Sequence, residues 1–487
     1  MSAFRPDLDH LSATAQRLLD ELHLPGLALG AVIGGEPAWQ DAWGWADIAA
    51  RRPMAPEARQ RIASISKTMV GLCIMALVDE GRLSLDSRIR DLLPEITLHG
   101  PADTLTVRHL LTHTGGIGEA PNVDDLGKVF SKLFGESEPG TPLAGLYPDG
   151  ITIEVAPGTK WAYANHGFTL LGEIVARFEG EPVPQVLRRR IFEPLGMHDT
   201  DLDDLKHPRL ARGYTQAATA EAKTVISFLG IELDSEEPED GHNMPGKFVP
   251  IWGNGAAGGV QSTVPDMLRY ATALLRGSGG IVRQETFAGM TSPVWQPDPR
   301  LDAWGLSFAV HDVAGHRMFG HGGAYFGGWN SYIAMFPELD AALAIHLNMW
   351  REDFDSVVTP LLRDFLGAPE PAPADGAIDP RILETAPGVY DLPGNHPLTD
   401  FRWRFNPGRV CITNEDGGLV IRGQRGPWAT GAPLVPDGGV GSDLLLVKGL
   451  TGDTRLVALR DDNGDVSGLR FQMLFDLRRN PDIQPWT

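Results

Sequence analysis

The run Thr68–Val78 (TMVGLCIMALV) constrains the fold most, because it is apolar on every side and long enough for a helix. A helix without a polar face lies inside a large domain. Asp79-Glu80-Gly81 ends the run, and Ser64-Ile65-Ser66-Lys67 opens it. Positions i and i+3 share a helix face, so Ser64 and Lys67 are expected side by side at the first turn. Burial disfavours an ammonium ion, and a lysine made neutral that way can take a serine proton. Backbone N–H groups at the helix start favour a developing oxyanion. Ser-x-x-Lys alone is a weak signal, expected about once by chance in a chain of this size. Its bland alternative is a helix-start serine with a lysine reaching outward.

The sharpest composition shift divides the chain at Gly367-Ala368-Pro369-Glu370-Pro371-Ala372-Pro373. Proline-rich stretches act as semi-rigid spacers. The expected division is 1–367, a linker over 368–380, and a small β-barrel over 381–487. In the first part, a helix is expected near Asp7 to Leu22, then a hairpin of Leu27 to Ile33 and Ala38 to Ala46 about Gly34-Gly35. Further strands are expected at Gly305 to Val310, Trp329 to Phe336 and Ala341 to Asn348, and a last helix at Phe354 to Leu366. Strands at both ends with helical material between predict an α+β fold: an antiparallel sheet closed by the two chain ends, flanked by helices, with an all-helical region. Two segments, about 120–150 and 216–247, read as inserted loops.

In the last part, strand-like runs alternate with turn pairs that tolerate positive φ, such as Asp416-Gly417 and Asn463-Gly464. The runs are Phe401–Phe405, Val410–Thr413, Leu419–Arg422, Leu444–Val447, Arg455–Leu459 and Leu469–Met473. Their spacing predicts a small antiparallel barrel or sandwich.

With 42 basic and 63 acidic side chains the formal charge is −21, which disfavours nucleic acid as a partner. Cys73 and Cys411 are the two cysteines, too few for a disulfide framework or a cysteine zinc site. Without an apolar leader or membrane-length run, a cytoplasmic protein that does not engage a membrane is expected.

Two further stretches carry polar groups with chemical uses. Tyr163-Ala164-Asn165 precedes the apolar helix pattern Phe168–Phe178, and alone reads as a plugging tyrosine and a capping asparagine. His321-Gly322-Gly323-Ala324 precedes the strand at Trp329, and alone reads as a glycine-rich turn. In order, Ser64-x-x-Lys67, Tyr163-x-Asn165 and His321-x-Gly323 resemble the serine β-lactamase and penicillin-binding-protein superfamily. The closer similarity is to the branch with class C β-lactamases, D-aminopeptidases and esterases. Leu110–Gly116, Pro157–Thr159, Phe192–Met197 and Gly258–Thr263 fit the same branch, and the resemblance spans about 24–367.

That resemblance implies a nucleophile at Ser64 and a proton acceptor at Lys67. It implies a general base and acid at Tyr163, and substrate orientation by Asn165. His321 and Gly323 would form the third motif, with the N–H groups of Ser64 and Ala324 as oxyanion hole. Which of Lys67 and Tyr163 is the base stays open, since coupled groups share protons. In the family's β-lactamases the third motif usually opens with lysine. Here it opens with an imidazole of ordinary pKa about 6.5, which argues against strong β-lactam hydrolysis. The C-terminal barrel is similar to the lipocalin-like domains that many such hydrolases carry.

Gly253-x-Gly255-x-x-Gly258 lacks the following helix and acid of a dinucleotide site. His109-x-x-x-His113 lacks the glutamate of a zinc-peptidase pattern and reads as a structural pair. The expectation is therefore a serine hydrolase without metal or cofactor, cleaving a small ester, amide or peptide. The alternatives are a D-aminopeptidase-like amidase or transacylating thioesterase, a weak β-lactamase, and a catalytically silent scaffold. The barrel is expected to shape the cleft, supply a homo-oligomer contact or bind an apolar ligand. Tyr147, Trp252, Tyr325 and Phe326 are candidate pocket aromatics.

Overall fold

The computed structural model describes every residue except 1–3, 120–140, 203–206, 217–232, 236, 247–254, 369–377, 393, 395, 398–408, 425–427, 438–441, 449–453 and 487. The expected strand Phe401–Phe405, most of both expected inserted loops and most of the linker lie outside the described residues.

Helix α1 (Leu8–Glu21) starts at Asp7, whose carboxylate accepts from the His10 N–H, and buries Leu11, Ala15 and Leu18. Strands β1 (Gly26–Ile33) and β2 (Glu36–Asp47) form the expected hairpin. Later in the chain come β3 (Ala309–Val313), β4 (His316–Tyr325), β5 (Trp329–Phe336) and β6 (Ala341–Leu347). They form one antiparallel sheet in the order β3-β4-β5-β6-β1-β2, with the short strands Ala303–Trp304 and Arg52–Pro53 at its edges. β1 pairs with β6, so the two ends of this part do close the sheet. The expected strand Gly305–Val310 begins at Ala309 instead, and β4 forms where a turn was the bland expectation.

One face of the sheet is covered by α1 and α5 (Asp355–Phe365), through Leu11, Leu18, Leu343, Leu361 and Phe365. The other packs against α2 (Ser66–Asp79), α3 (Asn165–Glu179) and α4 (Val264–Leu275). As its apolar run requires, α2 is buried from Ser66 to Leu77. Among the described residues no helix is long and apolar enough to cross a membrane.

The C-terminal part is a closed eight-stranded antiparallel barrel. Its strands are β7 (Gly388–Asp391), β8 (Arg409–Glu415), β9 (Gly418–Gly423), β10 (Ala432–Pro436), β11 (Leu444–Val447), β12 (Thr454–Arg460), β13 (Val466–Phe471) and β14 (Phe475–Asn480). β7 pairs with both β8 and β14, which closes the ring without a free edge. At the β8–β9 turn, Asp416 and Gly417 both take positive φ.

Candidate active site

Ser64 lies in a 3-10 turn, Ala63–Ile65, that leads into α2 at Ser66. This corrects the expectation that Ser64 occupies the first α-helical turn. Ala63 holds a left-handed backbone, φ 46°, a strained state for a residue with a Cβ. Neighbouring groups fix it. The Ile62 N–H donates to the Val260 carbonyl at 3.0 Å. Ser66 Oγ donates to the Ala63 carbonyl at 2.6 Å and accepts from the Val260 N–H at 3.1 Å. Ser331 Oγ donates to the Ile62 carbonyl at 2.8 Å. The middle serine of the motif thus ties the turn to the stretch around Gly258–Thr263.

Lys67 is fully buried. Its Nζ donates to Ser64 Oγ at 2.9 Å, to Asn165 Oδ1 at 2.8 Å and to the Ala257 carbonyl at 2.6 Å. Three donors meet three acceptors, which fixes the amine's position. The same nitrogen lies 4.9 Å from the centre of the Tyr163 ring. Three stretches far apart in sequence therefore meet at one amine. Ala257 was not anticipated, because a backbone carbonyl leaves no side-chain signal. It belongs to a single helical turn, Gly255–Gly258, so the described part of the Gly-x-Gly-x-x-Gly run serves Lys67.

Tyr163 is buried beside His113, and the two rings stack at 4.1 Å with planes 30° apart. The His113 carbonyl accepts from the Ala162 N–H at 2.8 Å, and its Nδ1 accepts from the Ala164 N–H at 3.1 Å. One histidine thus clamps the backbone on both sides of Tyr163. Burial, then the charge of Lys67 and the nearness of His321, push the His113 imidazole well below its usual range. Its sequence partner His109 instead accepts from Thr106 at the start of a short helix, so the pair shares no site. Among the described residues no three His, Cys, Asp or Glu side chains gather as a metal site.

Asn165 is the first residue of α3 and does not cap it. The buried Glu119 carboxylate accepts from its N–H. That leaves the Asn165 side chain to Lys67.

The third motif lies in the middle of β4, alongside the Ser64 turn. A Cβ at Gly323 would stand 2.2 Å from the Ile62 carbonyl, so no side chain fits there. Ala324 pairs with Asn330 across the sheet. His321 Nδ1–H donates to the Gly322 carbonyl at 2.5 Å, so Nε2 carries the lone pair. Burial, then the Lys67 charge, push this imidazole down to about 3. At neutral pH the third motif therefore presents no charge.

Among the expected pocket aromatics, Tyr325 lies under the buried Arg61 guanidinium at 4.3 Å, and Phe326 packs on Trp350. Tyr147 bonds to His166 at 2.9 Å. Trp252 lies outside the described residues. Sequence reading missed Trp304, whose ring is 5.1 Å from His113 and 5.3 Å from His321.

Residues 11–367 match the family model for β-lactamase. The chain belongs to the β-lactamase family. It is similar to penicillin-binding protein 4 of Amycolatopsis lactamdurans, 26% identical over 80% of this chain and 99% of that one. Esterase EstB of Burkholderia gladioli is 30% identical over 57% of this chain and 74% of its own. A D-aminopeptidase of Cereibacter sphaeroides is 28% identical over 66% of this chain and 56% of its own. The structure of D-amino acid amidase from Ochrobactrum anthropi superposes with a TM-score of 0.57 at 26% identity, covering 73% of this chain and 97% of the amidase. The octameric penicillin-binding protein homologue from Pyrococcus abyssi shares the fold over 97% of this chain and 99% of its own, with a TM-score of 0.63 at 22% identity. The family member described here is a serine hydrolase of the β-lactamase fold, with the barrel as a separate C-terminal domain.

Proposed function

We propose that this hydrolase cleaves esters or small amides through an acyl-enzyme on Ser64. Lys67 and Tyr163 share the proton work: whichever of the coupled pair is deprotonated when substrate is bound takes the Ser64 proton during attack, and Tyr163 hands a proton to the leaving group. Water then resolves the acyl-enzyme with Tyr163 as base. Asn165 orients Lys67 and the substrate, His321 and Gly323 line the strand along which the substrate lies, and the N–H groups of Ser64 and Ala324 receive the oxyanion. The observation that carries this reading is the buried Lys67 amine, donating to Ser64 Oγ at 2.9 Å and to Asn165.

The choice of ester or small amide rests on the uncharged third motif. A buried neutral imidazole gives a substrate carboxylate no ion pair, so β-lactams and carboxylate-ended peptides bind poorly there. The nearest alternative is an amidase for D-amino-acid amides, or a transacylating thioesterase using an amine instead of water. The D-aminopeptidase and D-amino acid amidase relatives favour the former. The catalytic unit is proposed to be 1–367, joined through 368–380 to the barrel at 381–487. Two buried free thiols, Cys73 and Cys411, support a reducing, cytoplasmic setting.

Short alkyl esters, D-alanine amide and a chromogenic cephalosporin test the assignment, with Ser64→Ala as control. Ester or amide turnover that vanishes in Ser64→Ala is expected, and turnover that persists in it would overturn the assignment.

A further inference from the structure

Among the described residues, one hairpin of the barrel reaches the catalytic centre. Between β13 and β14 the chain turns at Gln472, Met473 and Leu474, with the Leu474 N–H donating to the Phe471 carbonyl at 3.0 Å. Met473 is buried in one apolar cluster with Trp161, Tyr163, Trp304 and Ala309, all from the sheet domain. The turn is held from both sides. Trp295 Nε1–H donates to the Met473 carbonyl at 3.2 Å, and Arg470 donates to the Pro297 carbonyl at 2.9 Å. From within the barrel part, His396 Nε2 bonds the Leu474 carbonyl at 3.1 Å. Trp295 is in turn joined to Trp304 by a pair of backbone hydrogen bonds, 2.8 and 2.9 Å.

Among the described residues, three buried polar atoms around Tyr163 have no partner: the Trp304 Nε1–H and His113 Nε2–H donors and the His321 Nε2 acceptor. A buried polar atom left unpaired is costly, and a ligand group that satisfies it recovers that cost. Two of these atoms offer a hydrogen and the third accepts one.

We propose that Met473, together with the Trp304–His321 corner, forms the leaving-group subsite, and that it fits a compact leaving group able to both donate and accept a hydrogen bond. Ammonia and short alcohols have that chemistry, so the substrates are primary amides and short alkyl esters. This rests on the reading above in which Tyr163 protonates the leaving group, since whatever packs around Tyr163 bounds the space the departing group occupies. The apolar thioether closes that space, and the polar atoms of Trp304 and His321 orient what remains. The barrel is then a specificity element supplied in cis.

The test is a series of esters sharing one acyl group, with methyl, butyl and benzyl alcohols as leaving groups, measured on the full chain. In the wild type, kcat/KM falls from methyl to benzyl beyond what alcohol reactivity dictates. In Met473→Ala the benzyl-to-methyl ratio of kcat/KM rises about tenfold, the scale of one or two methylenes in a tight pocket. Trp295→Phe, which removes the N–H holding the turn, moves the ratio the same way by a smaller factor, and carries the test should Met473→Ala fail to fold. An unchanged ratio in a folded Met473→Ala, or in Trp295→Phe where that variant carries the test, overturns the subsite. Ser64→Ala run on the same series separates the two failures. Ser64-dependent hydrolysis with an unmoved ratio removes only the subsite, whereas hydrolysis independent of Ser64 removes the acyl-enzyme reading itself.

Discussion

The sheet domain and the barrel bury their interiors to different ends. Between the sheet and α2, the amine of Lys67, the amide of Asn165 and the rings of His113 and His321 are all withdrawn from water. Inside the barrel, Tyr390, Ile412, Leu419, Trp428, Leu456 and Phe471 fill the space, and the Tyr390 hydroxyl is spent on the nearby Ala386 carbonyl. An interior packed in this way stabilises the domain. The first interior carries polar groups that stability alone does not require. That contrast locates the chemistry, and it predicts that the two regions answer substitution differently.

The largest expected effect is on the polar interior. Lys67→Met lowers kcat/KM by about 10³-fold or more, while the thermal midpoint holds or rises, since a buried amine gives way to a thioether of similar shape. Steady-state kinetics beside calorimetry check both halves. A large loss of stability with modest loss of rate would make Lys67 a structural residue and erase the contrast. In the barrel, Ile412→Ala should cost about 3 kcal/mol of stability by leaving a cavity, with kcat of the folded fraction unchanged. Denaturant titration and active-site counting measure it.

Next comes a surface ion cluster. Burial by itself raises the Glu179 carboxyl, but hydrogen bonds from Arg190, Arg189 and Arg82 outweigh it and bring the group down to about 2. A lowered folded-state pKa gives stability that is present above the unfolded carboxylate value of about 4.5 and is lost as the pH falls towards 2. Glu179→Gln should therefore cost about 1 kcal/mol at pH 7, because solvent screens the partly exposed arginines, with the difference from wild type vanishing near pH 2. Unfolding curves across that range test the sign. The smallest effect concerns His321. An imidazole already neutral far below pH 6 contributes no ionisation to the kcat/KM profile between pH 5 and 9. An acidic limb near pH 6.5 that disappears in His321→Asn would contradict this.

How much of this was legible in the sequence follows from where each signal resides. The α2 run, the β1–β2 hairpin and β5 carry strong apolar patterns and stand where expected. β4 was masked by Gly320, Gly322 and Gly323; they mark no turn, and Gly320 lies close to the Ile333 carbonyl of β5 while Gly323 lies close to the Ile62 carbonyl. In the barrel, β10 contains Pro433 and Pro436, and β14 carries Asp476, Arg478 and Arg479, so neither reads as a strand from composition. β7, only Gly388–Asp391, is too short to stand out. At the site, the side chains of the three motifs were readable by type and order. The Ala257 carbonyl and the clamp by His113 depend on backbone placement, and the nearness of Met473 depends on how the barrel docks.

A serine-reactive phosphonate, read by intact mass and peptide mapping on the wild type, Ser64→Ala and Lys67→Met, addresses the central claim most directly. One adduct per chain on Ser64 in the wild type, none in Ser64→Ala and a greatly slowed one in Lys67→Met is the predicted result. A stoichiometric adduct that still forms in Ser64→Ala, or one that forms at the wild-type rate in Lys67→Met, would contradict it.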